Sequence, residues 1–195
     1  GFFGWREHRQ SKSAGLLAEA MAVADARIGP PPAPGTPSGG PTFPTEQERA
    51  EAAIVKFKAA ADAFPSTDAG LFARYQQATL LMSVGKTADA QKIYQDVVSS
   101  AGESIYGQMA KLGLAEAQAR AGQFDQAITL FRELAQRKDG PLPVDGVLMQ
   151  LARTYRDAGK GADARQTFDR IVQEYPESAY TGEAKREADA LKKNS

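Results

Sequence analysis

The chain of 195 residues has no cysteine and one histidine, His8. The first absence excludes disulfides and thiol chemistry, and leaves the redox compartment open. The second argues against a protein-borne zinc site and a histidine-dependent catalytic triad. There is no excess of either charge: Lys and Arg total 24, and Asp and Glu total 24. A balanced total gives no reason to expect nucleic acid, which needs a basic face. No apolar run reaches the ~18 residues of a complete transmembrane helix. No phosphate-binding loop is present either. The stretch from Gly85 to Gln91, GKTADAQ, lacks the leading glycine and the preceding strand that such a loop needs. Carboxylates such as Glu183, Glu187 and Asp189 sit at the spacing of a solvated helix face. No catalytic residue, cofactor or metal is therefore expected, and an enzyme is the less favoured class.

What the chain does have is a period. Ala53, Ala90, Ala127 and Ala164 recur every 37 residues, and an aromatic follows each by four: Phe57, Tyr94, Phe131 and Phe168. Gly85, Gly122 and Gly159 keep the same step, as do Ala78, Ala115 and Ala152. A period of this size means stacked helical units, each burying its apolar face against the next. The expected pairs are 70–84 with 87–100, 104–121 with 123–138, and 145–158 with 161–175. Each pair reverses at the periodic glycine, where a left-handed residue lets the chain turn. A last helix over 178–192 has Ala184, Ala188 and Leu191 on one side and charges on the other, as a capping helix requires.

The N-terminal part is different. Residues 5–28 read as one helix, with Leu16, Leu17, Ala20, Met21, Ala24 and Ile28 on one stripe. Gly29 and Pro30 stop it. Residues 29–45 hold seven prolines and four glycines, which predicts a linker with no packed element. A ligand for a proline-reading module is the alternative. Thr45 with Glu48 forms a capping box for a helix running to about Phe64 and closed by Pro65. Its Ala53, Phe57 and Pro65 look like the second helix of a unit without its first. Residues 5–28 are expected to fold back across the linker and supply it.

These units resemble the tetratricopeptide repeat (TPR). The third carries the pattern most fully, with Leu148, Leu151, Ala152, Tyr155, Gly159, Ala164, Phe168 and Pro176. The second has Leu114, Ala115, Gly122, Phe124, Ala127 and Phe131; the first has Ala78, Leu81, Gly85, Ala90 and Tyr94. The period exceeds the usual length of about 34 residues. The helix-A tryptophan is replaced by Arg74, Lys111 and Leu148. The resemblance implies an all-α, TPR-like superhelix of about three antiparallel helix pairs with an N-terminal helix and a C-terminal cap. In TPR proteins helix A of each unit lines a concave groove. Carried over, that groove consists of Phe72, Tyr75, Gln76, Thr79 and Met82, then Met109, Leu112, Glu116 and Arg120, then Met149, Arg153 and Arg156. The three methionines suit varied apolar segments, or else simply pack between helices. The three arginines suit an acidic or carboxylate-ended partner. The carboxylate-clamp pattern is not met, because Tyr75, Thr79, Gly113 and Gln150 stand at its positions.

The whole chain also resembles the YfgM-type bacterial envelope TPR proteins, on its GFFGWREHRQSKS start, its proline-rich spacer and its VQEYPESAYTGEAKREADAL ending. Phe2, Phe3 and Trp5 followed by Arg6, Arg9 and Lys12 read as the trailing edge of a membrane span, upstream of residue 1, or else as stray aromatics at an arbitrary boundary. The organisation implied is a juxtamembrane helix (1–28), a linker (29–45) and a TPR-like domain (46–195). The function implied is a non-catalytic scaffold at the periplasmic side of the inner membrane. It would take proteins or peptide segments in its groove and link the Sec translocon to envelope chaperones. A scaffold for envelope assembly or cell division is the alternative.

Overall fold

The computed structural model describes residues 1–37 and 39–193. Ser38 of the expected linker and the last two residues of the expected TPR-like domain lie outside them. The fold is all-α: among the described residues there are nine helices and one short pair of strands. The helices are α1 (Phe2–Ala24), α2 (Glu46–Ala63), α3 (Asp68–Ser83), α4 (Thr87–Ala101), α5 (Ile105–Arg120), α6 (Phe124–Ala135), α7 (Val144–Asp157), α8 (Gly161–Glu174) and α9 (Thr181–Lys193). The strands are β1 (Arg27–Ile28) and β2 (Thr42–Phe43). The chain forms two compact units, Gly1–Gly107 and Gln108–Ser195.

In the first unit, α1 packs on α2 and α3. Its direction follows from its ends. The Arg9 guanidinium lies 5.9 Å from the Phe64 ring centroid, whereas Arg49, one turn into α2, donates to the Ala26 carbonyl at 2.9 Å. The two helices therefore run antiparallel. Ala20 is buried with Ala53, Phe57, Ala60, Ala61 and Ala73, so α1 covers the apolar face that α2 would otherwise expose. Small residues on both sides let the helices approach closely, and Phe57 fills the space beside them.

Two expectations for this region need correction. The helix ends at Ala24, not at residue 28, because Arg27 and Ile28 leave it to pair in parallel with Thr42 and Phe43. The span 29–45 is accordingly not without packed structure. Thr42 and Phe43 both favour strands, and together they hold a free pair of backbone amides between Pro41 and Pro44. Gly29 adds a bond to the Phe43 carbonyl at 2.9 Å. The proline-rich stretch is thus a loop tied at its neck, with residues 30–41 exposed wherever described.

The periodic turn recurs bond for bond. Gly85, Gly122 and Gly159 have φ of 82°, 78° and 76°. The residue after each donates to a carbonyl five positions back: Lys86 to Leu81, Gln123 to Gln118, and Lys160 to Tyr155, at 2.8–2.9 Å. This is the Schellman closure, and a side chain at those φ values would be strained. Downstream, Ala90, Ala127 and Ala164 are fully buried, and Phe57, Tyr94, Phe131 and Phe168 are buried beside them. A further row was not anticipated: Ala60, Val97, Leu134 and Ile171, also buried and also 37 apart.

Helix starts repeat as well. Thr67 caps α3 by accepting from the Gly70 amide at 3.0 Å, and Ser104 accepts from Gly107 at 3.4 Å. A Cβ built on either glycine would meet a backbone carbonyl oxygen at 1.9 Å, that of Phe64 or of Gly102. Glycine here permits the close approach of one helix start to the preceding helix end.

In the second unit one continuous core joins α5 to α9, with Ala115, Phe131, Leu148, Met149, Phe168, Ile171, Ala184 and Ala188 among its members. Ala184 and Ala188 stand 37 residues after Val147 and Leu151, so α9 takes the place of helix A in a further unit.

Candidate functional site

Within each helix pair, α3, α5 and α7 are the first helices. The period makes Phe72, Met109 and Gly146 equivalent, then Tyr75, Leu112 and Met149, then Thr79, Glu116 and Arg153. The structure treats these rows differently from unit to unit.

In the first unit, α3 brings Phe72, Tyr75 and Thr79 together, because residues three and four apart share a helix face. Phe72 stacks on Tyr75 with centroids 6.3 Å apart and an interplanar angle of 24°. Tyr106 joins at 6.2 Å from Phe72, and Tyr94 at 5.9 Å from Tyr75. The Tyr94 hydroxyl lies 3.0 Å from Thr79 Oγ1, so the polar end of this buried ring is satisfied. Phe72, Tyr75, Gln76 and Tyr106 are half-buried, Thr79 is exposed, and Met82 is buried. Tyr94 and Tyr106 were missed as members of this cluster. Tyr106 precedes Met109 by three residues on one helix, and that spacing was the available signal.

In the second unit, Met109, Leu112 and Glu116 are partly buried on α5, and Arg120 is exposed. Gln150 Nε2 donates to Glu116 Oε1 at 3.2 Å, joining α7 to α5. Burial pushes the Glu116 carboxyl above its ordinary range, while the Gln150 bond and the Arg120 charge pull it partly back. Met149 has no exposed surface and belongs to the core, so of its two readings packing applies. Arg153 and Arg156 are already engaged by carboxylates of the chain itself. Arg153 Nη2 donates to both oxygens of Glu183 at 2.8 and 2.9 Å. Arg156 pairs with Glu187 at 3.0 Å and with Asp157 at 3.1 Å. Both arginines hold α9 against α7.

No group of three or more His, Cys, Asp or Glu side chains among the described residues is arranged to hold a metal ion. No described helix is long and apolar enough to cross a membrane.

Two tetratricopeptide repeat family profiles match the chain, over residues 75–141 and 119–185. Together they span more than half of it. The chain belongs to the tetratricopeptide repeat proteins. No curated protein matches the sequence significantly. Among solved structures it is similar to the nearly identical TPR-like repeats of a Podosopora anserina chain, with a TM-score of 0.69 at 13% identity, covering 93% of this chain and 85% of that one. A tetratricopeptide repeat protein from Parabacteroides merdae aligns with a TM-score of 0.68 at 14% identity, over 94% of this chain and 61% of that one. MamA of AMB-1 aligns at 0.62 and 12% identity, over 95% and 83%. At such identities the likeness concerns the fold.

In TPR terms the aromatic cluster and the Glu116–Gln150 pair lie on helix-A faces, the faces on which TPR domains generally receive protein partners. The extra length of the 37-residue period lies in helices or in the loops between pairs: α7 has 14 residues but follows the loop 136–143. The turns keep their tight closure, and α3 and α5 are 16 residues each.

Proposed function

We propose that this TPR chain is a protein-interaction scaffold whose helix-A faces receive segments of partner proteins. The observation that carries the reading is the cluster of Phe72, Tyr75 and Tyr106. Three large rings meet there without being fully buried by their own unit, although aromatic rings at helical spacing are usually core. Aromatic side chains of this kind make strong anchors for a partner because they are large and lose little freedom on binding.

The place of action we propose is the periplasmic face of a bacterial inner membrane, with the Sec translocon and envelope chaperones as partners. Its support is the resemblance to the YfgM-type proteins and the character of the first turns of α1. Phe2, Phe3 and Trp5 are 74%, 82% and 59% exposed and are followed by Arg6, Arg9 and Lys12. Exposed aromatics next to cations suit a membrane–water interface.

The test is crosslinking of the full-length protein in its own membrane, beside a variant with Phe72, Tyr75 and Met109 all replaced by alanine. Translocon subunits and chaperones recovered with the parent and depleted with the variant support both parts. Recovery of division or envelope-assembly proteins instead moves the scaffold to that role. Equal recovery of the same partners by both proteins places binding away from the helix-A faces.

A further inference from the structure

The charge left for a partner in the second unit is opposite in sign to the one its arginines suggest. Arg153 and Arg156 are engaged by Glu183 and Glu187 of the chain's own α9, so an incoming carboxylate would have to displace an internal one. Lys111 is turned to Glu133 on α6 at 3.7 Å. Glu116 is in a different position. Its carboxylate is partly buried between α5 and α7, and its one side-chain hydrogen bond among the described residues comes from the neutral amide of Gln150. Arg120, one turn further along α5, eases the negative charge without offsetting the cost of burial. A carboxylate accepts at about four lone-pair sites, so the chain's own side chains occupy only part of this acceptor capacity. Met109 and Leu112, the preceding positions on the same face of α5, are partly buried and apolar.

We infer that the helix-A face of the second unit takes a basic segment of a partner protein, with a lysine or arginine meeting Glu116 and its aliphatic stem lying on Met109 and Leu112. A charge-assisted bond from an ammonium or guanidinium suits a carboxylate that its own fold has only half satisfied, and the low local polarity strengthens it. Long basic side chains cover apolar surface with their methylenes while their charged ends stay paired. The fold thus assigns the acidic partner of Arg153 and Arg156 to α9 and leaves the basic partner of Glu116 to come from outside. This inference rests on the groove reading above.

The experiment uses two synthetic peptides of leucine and serine, one with two arginines and one with two glutamates, titrated into the whole chain labelled at its methionine methyls. The arginine peptide is expected to shift the Met109 signal and to bind about tenfold more weakly to Glu116→Gln. Glutamine keeps the shape and a partner for Gln150, and the melting temperature checks that the variant is folded. A second variant, Glu183→Gln with Glu187→Gln, frees both arginines and is expected to gain binding of the glutamate peptide. Tighter binding of the glutamate peptide by the parent chain, or equal binding of the arginine peptide by Glu116→Gln, overturns the inference while leaving the groove reading intact. If neither peptide moves Met109 in any variant, the inference and the groove reading fall together.

Discussion

Arg153 on α7 grips both carboxylate oxygens of Glu183 on α9, and Arg156 repeats the contact one turn later with Glu187. Two ion pairs thus tie α9 to α7, while α9 itself packs on α8 and buries Ala184 and Ala188. Exposed pairs of this kind contribute only about 0–1 kcal/mol each, because water screens them and long side chains must be immobilised. Both pairs here are about one-third exposed. Glu183→Ala with Glu187→Ala is therefore expected to lower stability by about 1 kcal/mol, and less in high salt. Denaturation midpoints at two ionic strengths check this. Removing α9 altogether is a different matter. It uncovers the face that Ala184 and Ala188 close, and the second unit is expected to lose its cooperative transition.

The aromatic row is the strongest test of the period. Phe131 and Phe168 are among the largest fully buried side chains, each wedged beside an alanine at a helix crossing. Phe131→Ala and Phe168→Ala are each expected to cost about 3–5 kcal/mol by urea denaturation. Tyr94 belongs to the same row but ends in a hydroxyl next to Thr79. Tyr94→Phe is expected to cost about 1 kcal/mol, the worth of a single bond.

Three helical glycines should respond in opposite directions. Gly70 and Gly107 press against carbonyl oxygens, and an added methyl would sit 1.9 Å from them. Gly70→Ala and Gly107→Ala are expected to destabilise by about 1–3 kcal/mol, since the neighbour is backbone and cannot step aside. Gly15 lies inside α1 with nothing within 4 Å of the same position. Gly15→Ala is expected to stabilise by about 0.5–1 kcal/mol through helix propensity alone. Thermal unfolding of the three variants reads both signs.

The N-terminal helix should be integral to the first unit. Removal of residues 1–44 takes α1 from the face formed by Ala53, Phe57, Ala60 and Ala61. A marked fall in the melting temperature is expected. An unchanged value would mean that α1 adds nothing to the repeat stack. Arg49→Ala, which frees the Ala26 carbonyl at the loop neck, is expected to cost about 1 kcal/mol.

The helices and their buried faces were legible in the sequence because they follow from local, periodic constraints. An alanine that must be small and a glycine that must be left-handed recur wherever the same crossing or turn recurs. Gly85, Gly122 and Gly159 carry that information one residue at a time. What was hidden depends on partners far along the chain. Thr42 and Phe43 look like part of a proline-rich spacer until Arg27 and Ile28 are brought beside them. Arg153 looks like a free cation until α9 supplies Glu183, because charged pairs between helices leave no periodic mark. Met149 occupies the same repeat position as the half-buried Tyr75 and Leu112, and only the packing of its own unit makes it core. A repeat register therefore assigns a residue to a helix face, and the side chains packed around it within its own unit decide how much of that face remains open.

Glu116 gives the pH dependence its sign. Its folded carboxyl titrates above the ordinary 4.5 because burial disfavours the charge. An acid with a raised folded value binds its proton more tightly in the native state. Ionised Glu116 therefore opposes folding above that value, and the opposition fades as pH falls toward 4.5. Asp62 and Glu174 act the other way. Hydrogen bonds from Lys58 and Arg74 hold Asp62 below 3.8, and a bond from Arg170 holds Glu174 below 4.5. Their stabilisation is present at neutral pH and is lost as acid protonates them. Both are largely in solvent, so their share is small. Glu116→Gln removes only the first effect. Relative to the parent, the variant should be at its best at pH 7 and lose that advantage as the pH falls toward 4.5. Paired urea titrations across this range measure it. A constant difference between variant and parent would show that the Glu116 carboxyl is not strained by its burial between α5 and α7.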